Sequence, residues 1–384
     1  MIAFQWNMPT RVMLGKNALD SLANDDSGLG RRPLVVTGRS SARASGALDR
    51  LLAQWPNAVV FDKVEENPTT DTCDRGAAVC RENRCDLVVA IGGGSPMDAA
   101  KAIAMLACNP GRCEDYFGRD VFKKGNLPII AVPTTAGTGS EVTPYAVITD
   151  HAHTFKKTIA GQTLFPQYAL LDPTLSVSMS ATITANTGFD ALSHAVEGMI
   201  SLKSTPLGDA LALESCRVIR QWLPRAVEAP DDLEARGQML YAAMLAGCVI
   251  AQSGTTAIHG MGYYFTLEFG LPHGLANALL LIPAFERNAR CLPDKVAAIA
   301  NALGHPAAPS ADHAGRAFRQ AIIDLAGQVG LDLSANNAGV AREALRPFAE
   351  SIVADRPRFK NQTGDWSLED VAAVFEDAWS GPTA

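Results

Sequence analysis

The sequence predicts a two-part chain: an α/β first part built on a parallel sheet, then an all-α second part. Three observations predict this. Short, continuously apolar segments alternate with helical ones through the first half of the chain. The β signal ends near residue 182, and long helical periodicities follow. A length of 384 residues exceeds what one ordinary core organises.

Taken in order, the strand segments are PLVVT at 33–37, closed by Gly38, AVVF at 58–61, DLVVAI at 86–91 and LPIIAV at 127–132. A turn at Pro68 and Thr69 opens a helical stretch over 70–84. Strands that are apolar throughout, with helices between them, imply a parallel sheet covered on both faces. The second part reads as helices at 185–202, 206–221, 231–253, 294–304, 311–329 and 338–353. The expected domains are therefore 1–180 and 181–384. Neither a repeat nor a low-complexity linker separates them, which implies packing around a shared cleft.

Composition excludes several function classes. The formal net charge is −7, and the basic pairs Arg31-Arg32 and Lys123-Lys124 are short, so nucleic acid has no electrostatic footing. No segment approaches the roughly 18 apolar residues that span a bilayer. The opening MIAFQWNMPTRVML lacks the features of a secretory leader. Eight cysteines form no CxxC pair, so reduced thiols and a cytoplasmic location are expected.

Two turns carry the first chemistry. Gly92-Gly93-Gly94-Ser95-Pro96-Met97-Asp98 follows a strand directly and opens a helix. Glycines admit a ligand close to the backbone; Ser95 suits an N-cap and Pro96 the first helical position. The exposed N–H groups of such a helix start suit a pyrophosphate, although the pattern is not GxGxxG. The second turn, PTTAGTGSE at 133–141, offers hydroxyls at Thr134, Thr135, Thr138 and Ser140; alternatively it is a polar capping loop with Glu141 in a buried pair. Two such loops at neighbouring strand ends favour a dinucleotide site.

In GFDALSHAVEG, Asp190 and His194 stand four apart and share one helix face. His259 and His273 lie in IHGMGYYFTLEFGLPHG, at a spacing that suits a helix end and the loop after it. Singly, each histidine is better explained as a cap or core residue. Together, three imidazoles and a carboxylate make a plausible shell for Fe²⁺ or Zn²⁺.

At this point the chain closely resembles the iron-containing (group III) alcohol dehydrogenases. GGGSPMDAAKA, PTTAGTGSEVT, KKTIAG followed by FPQYALLDP, TGFDALSHAVEG, and IHGMG followed by LPHGLANA carry the resemblance, and MPTRVMLGKNAL looks like that family's N-terminal strand. The resemblance implies a dehydroquinate-synthase-like architecture with a dinucleotide-binding domain, a helical domain, and a metal in the cleft between them. It implies Asp190, His194, His259 and His273 as metal ligands, with iron favoured over zinc. It implies Gly92, Gly93, Gly94, Ser95 and Asp98 as the pyrophosphate loop, Thr134, Thr135 and Thr138 as the second cofactor turn, and Lys157 near the nicotinamide ribose. The implied reaction is reversible hydride transfer between NAD(P)H and a small aldehyde or ketone, in a homodimer or larger homo-oligomer.

Two positions depart from the family pattern. Four residues after the third ligand, where the family commonly has a proton-relaying histidine, stands Tyr263. A phenol can donate a proton but is a poor base at neutral pH, so Tyr263 is either a proton donor in carbonyl reduction or a wall of the pocket. At Gly38 the NAD-preferring members tend to carry an aspartate. Glycine there, beside Arg39 and Ser40, leaves room and charge for a 2′-phosphate, so NADP(H) is expected to serve at least as well as NAD(H). By position Tyr145, Ile250, Thr255, Tyr263 and Phe269 line the substrate pocket, which favours an aliphatic or aromatic aldehyde over a polyol or an acid. The rival readings are a glycerol-dehydrogenase-like polyol enzyme and a retired paralogue that only binds metal or nucleotide.

Overall fold

The structure is a computed structural model that describes residues 3–24, 29–150, 155–355 and 359–382. Nine strands and thirteen α-helices occur among the described residues. The chain divides into two compact units: residues 7–179 with 230–244, and residues 1–6 with 180–229 and 245–384.

The first unit is α/β. Its main sheet contains β1 (Arg11–Leu14), β2 (Pro33–Gly38), β3 (Val59–Val64), β4 (Leu87–Gly92), β6 (Ile129–Pro133) and β9 (Tyr168–Leu171), ordered β1-β9-β6-β4-β2-β3, with every pairing parallel. A smaller sheet orders β5 (Gly118–Arg119), β8 (Phe155–Ala160) and β7 (Tyr145–Asp150). The helices are α1 (Ser41–Ala44), α2 (Ala47–Gln54), α3 (Thr70–Glu82) and α4 (Gly94–Cys108).

Side chains alternate across a strand, and β4 shows why its run is apolar throughout. Val88 and Ala90 join the core that includes Cys73, Ala77 and Ile103 of α3 and α4, whereas Leu87, Val89 and Ile91 join Leu48 and Leu51 of α2. Both faces are covered, as the sequence predicts.

The second unit is helical: α5 (Ala181–Ile200), α6 (Pro206–Glu228), the later part of α7 (Leu233–Ser253), α8 (Ala257–Phe269), α9 (His273–Asn288), α10 (Pro293–Ala302), α11 (Ala311–Val329), α12 (Leu345–Ala354) and α13 (Leu368–Ser380). The helix expected over 338–353 begins only at Leu345, because Gly339 sits at φ +87° in a turn. Among the described residues no single helix is long and apolar enough to cross a membrane. All eight cysteines are free thiols.

Candidate metal centre and cofactor loops

Helix α5 supplies the first half of the site. Its N-cap Ser180 accepts a hydrogen bond from Ile183 N, and its buried face runs from Thr184 to Ile200. Asp190 and His194 lie one turn apart on that face, both buried. The remaining histidines open two successive helices instead of bracketing a helix end and a loop. His259 lies in the first turn of α8, and His273 is the first residue of α9, after Pro272 at its N-cap. Proline before a helix sets an extended entry and is compatible with an immediate helix start.

A glycine brings α9 onto α5. A Cβ at Gly274 would lie 1.9 Å from Asn186 O and 3.2 Å from the Cβ of Asp190, so no other residue fits while His273 stays where it is. The result is a tight cluster. His194 Nε2 and His259 Nε2 are 2.9 Å apart, and Asp190 Oδ1 lies 3.9 Å from His259 Nε2 and 3.7 Å from His273 Nε2. The His194 and His259 rings stack at 4.6 Å, and the His259 and His273 rings meet edge to face at 5.3 Å. Burial opposes ionisation of Asp190, but the imidazoles of His194, His273 and His259 outweigh it and hold the carboxyl below its ordinary range.

Two further residues belong to this cluster and have no distinct signature in the sequence. Glu197, two turns along α5 from Asp190, is fully buried and hydrogen-bonded to His259 Nδ1. Asn277, one turn after His273, directs Nδ2 to Asp190 Oδ1 at 3.2 Å, His259 Nε2 at 3.1 Å and His273 Nε2 at 3.3 Å. Its buried Oδ1 finds no hydrogen-bond partner among the described residues. The available signal was spacing alone, since 190, 194 and 197 share a helix face and so do 273 and 277.

These distances fit a divalent ion. Four nitrogen or oxygen ligands set tetrahedrally at about 2.1 Å from a metal stand about 3.4 Å from one another. Separations of 2.9, 3.7 and 3.9 Å bracket that value.

In the α/β unit the two glycine-rich turns touch each other. Thr134 N donates to Gly92 O at 2.9 Å. A Cβ on Gly93 would meet Thr135 Oγ1 at 3.2 Å, and one on Gly94 would meet Thr138 Cγ2 at 2.8 Å. Gly92 has φ +146° with Pro96 packed on it. Helix α4 starts earlier than the sequence suggests. Its N-cap is Gly93, without a side-chain cap, and Ser95 Oγ instead accepts from Asn67 N at 3.2 Å. The first turn of α4 thus keeps N–H groups that no capping side chain engages.

Asp98 ties the two turns to the small sheet. Its Oδ1 accepts from Ser140 Oγ at 2.7 Å and its Oδ2 from Val147 N at 3.0 Å. Beside it the fully buried Lys101 donates to Ser140 Oγ (2.7 Å), Tyr145 O (2.8 Å) and Thr143 Oγ1 (3.2 Å). Burial pushes the Lys101 ammonium down to about 8 and the neighbouring Glu141 carboxyl up to about 7. Gly38 ends β2, with Arg39 and Ser40 exposed beyond it. Lys157 pairs with Asp150 at 3.2 Å and lies over the Phe117 ring.

The residues expected to line a pocket divide between the units. Tyr145, in the α/β unit, has the Arg119 guanidinium 5.7 Å from its ring centroid. In the helical unit Tyr263 stacks on His273, with centroids 5.6 Å apart and planes at 18°. Ile250 is buried near the end of α7, and the carbonyl of Thr255 accepts from Asn361 Nδ2. Phe269 meets the Phe348 ring edge to face at 6.1 Å.

The same architecture and sequence recur in known proteins. The chain is 34% identical to the 1,3-propanediol dehydrogenase of Klebsiella pneumoniae, over 98% of this chain and 99% of that one. It is 33% identical to the NAD-dependent methanol dehydrogenase of Bacillus methanolicus, over 77% of this chain and 79% of the relative. The crystal structure of an iron-containing alcohol dehydrogenase from Thermotoga maritima superposes with a TM-score of 0.86 at 38% identity, covering 98% of this chain and all of that one. Residues 9–173 match the iron-containing alcohol dehydrogenase family and residues 184–379 match the C-terminal domain of the Fe-containing alcohol dehydrogenase family. The chain belongs to the iron-containing alcohol dehydrogenase family.

Proposed function

We propose that this chain is a metal-dependent oxidoreductase that transfers a hydride reversibly between NAD(P)H and a small or medium aldehyde or ketone, with Asp190, His194, His259 and His273 holding Fe²⁺ or Zn²⁺. The observation that carries the reading is the convergence of Asp190 Oδ1 with the Nε2 atoms of His259 and His273 in one cluster, with His194 Nε2 at 2.9 Å from His259. Relatives named for propanediol and methanol oxidation support an alcohol as the reduced partner. When bound, the ion supplies Lewis acidity at the substrate oxygen and the nicotinamide supplies or accepts the hydride.

The chain's own residues position these groups. Asp190 is held ionised and contributes the one negative charge of the ligand set. Asp190, His194 and His259 are nearly closed to solvent, whereas the His273 side chain is 28% exposed and marks the open side. Tyr263 lies against that open imidazole, where its ring walls the substrate's approach. The first turn of α4 receives the pyrophosphate, with Thr135 and Thr138 packed on the glycines that let it approach. Gly38, Arg39 and Ser40 favour NADP(H) at least as strongly as NAD(H), since no acidic side chain stands at Gly38 to repel a 2′-phosphate.

The test is a panel of aldehydes and alcohols with NADH and NADPH, run after anaerobic reconstitution with Fe²⁺ or Zn²⁺. Aldehyde reduction with a kcat/KM for NADPH at or above that for NADH is expected. A strong preference for NADH removes the cofactor assignment, and turnover of glycerol above every aldehyde transfers the reading to a polyol dehydrogenase.

A further inference from the structure

We infer that Glu197 is a positioning residue for the metal: its carboxylate fixes the tautomer and aim of His259 from behind, through contacts made entirely inside the helical unit. The inference rests on the reading of His259 as a ligand.

Glu197 is fully buried on α5, and both of its oxygens are engaged on α8. Oε2 is hydrogen-bonded to His259 Nδ1. Oε1 accepts from Thr256 N at 2.9 Å and Thr256 Oγ1 at 2.5 Å, and from His259 N at a longer 3.4 Å. The carboxylate therefore takes the capping place at the start of α8, whose N-cap Thr256 makes no side-chain cap of its own.

The consequence for His259 follows from donor and acceptor counting. Oε1 already accepts from Thr256 N and Thr256 Oγ1, and Oε2 faces His259 Nδ1; with Nδ1–H donating to Oε2, Nε2 of His259 carries the lone pair. That lone pair faces the side where His194 Nε2, Asn277 Nδ2 and Asp190 Oδ1 converge, where a ligand needs it. The same anchor fixes the ring's rotation, because Glu197 also holds the backbone of the turn that bears it.

Glutamine at 197 tests this without changing the shape. It presents one acceptor and one donor to two sets of donors, so either Thr256 or His259 Nδ1 loses its acceptor. Zn²⁺ affinity of the metal-free full-length protein is measured by competition with a chromophoric chelator, and Co²⁺ loading is read from its d–d absorption. Glu197→Gln is expected to weaken Zn²⁺ binding about 10- to 100-fold and to alter the Co²⁺ spectrum. Thr256→Ala disturbs the α8 cap but leaves Oε2 with His259, and is expected to keep Zn²⁺ affinity within about threefold of wild type. Wild-type affinity in Glu197→Gln, or an equal loss in both variants, overturns the inference and reduces Glu197 to a helix cap. If the wild-type chain itself fails to bind either ion, the ligand reading falls and takes this inference with it.

Discussion

Lys101 Nζ lies 2.7 Å from Ser140 Oγ, and that bond joins the helix behind the first glycine turn to the second turn. Ser140 Oγ passes the contact on to Asp98 at 2.7 Å. The two loops assigned to the cofactor thus stand on one buried polar network inside the α/β unit. Lys101→Met is expected to cost on the order of 3 kcal/mol of stability, because it leaves Asp98 and Ser140 without their cation. The KM for the nicotinamide cofactor should rise several-fold while kcat at saturation changes little. Urea unfolding and steady-state kinetics check both, and wild-type values in each would remove the network's role.

The same network gives the protein a pH dependence with a definite sign. The Glu141 carboxyl is pushed up by burial from an ordinary 4.5 to about 7. Between those values the folded chain holds a proton that the unfolded chain has released, so this group's contribution to stability is fullest below 4.5 and is lost as pH rises to about 7. Glu141→Gln removes the titration. The stability of the variant relative to wild type should therefore increase from pH 4.5 to 7, by at most on the order of 3 kcal/mol. Thermal melts of both proteins across that range decide it; parallel curves would contradict the assignment.

Gly94 sits where a Cβ would come within 2.8 Å of Thr138 Cγ2. Gly94→Ala should force the two loops apart, costing about 1–3 kcal/mol and raising the cofactor KM. Thr138→Ser removes the obstructing methyl, so the double variant should recover most of the loss. An unrescued double variant would locate the defect elsewhere.

Tyr263 meets His273 through its ring, at 18° between planes. Tyr263→Phe keeps that surface, so metal affinity and kcat in both directions should stay within about twofold of wild type. A tenfold or larger fall in kcat for aldehyde reduction, with metal content unchanged, would assign the hydroxyl a proton-donating role.

Much of this was legible in the chain, for physical reasons that also explain the omissions. The strands at 33–38, 87–92 and 129–133 announced themselves because both of their faces are buried. Strands β7 and β8 do not, since the buried positions of Tyr145–Asp150 alternate with half-buried ones in a short run that mixes polar and apolar residues, and Phe155–Ala160 carries two exposed or half-exposed lysines on a small sheet. Asp190 and His194 were visible as an i, i+4 pair on one helix. Glu197 and Asn277 carry no such signal, because a lone carboxylate or amide at helical spacing reads equally well as a solvated face. Only the close packing of α9 on α5 at Gly274, and of α8 on α9 at Gly262, brings the imidazoles and these two side chains together. Asp98, read as part of the cofactor loop, also has a structural task that the sequence does not announce, since its carboxylate accepts from Ser140 Oγ and Val147 N.

On the proposed reading, the cluster of Asp190, His194, His259 and His273 holds the divalent ion on which turnover depends. Its most direct test is aldehyde-dependent NAD(P)H oxidation by protein stripped with a chelator, then supplied with one equivalent of Fe²⁺ or Zn²⁺, beside His194→Ala treated identically. Activity should be lost on stripping, restored at one ion per chain in the wild type, and not restored at that loading in His194→Ala. Full activity in the stripped protein, or equal restoration in both, would contradict it.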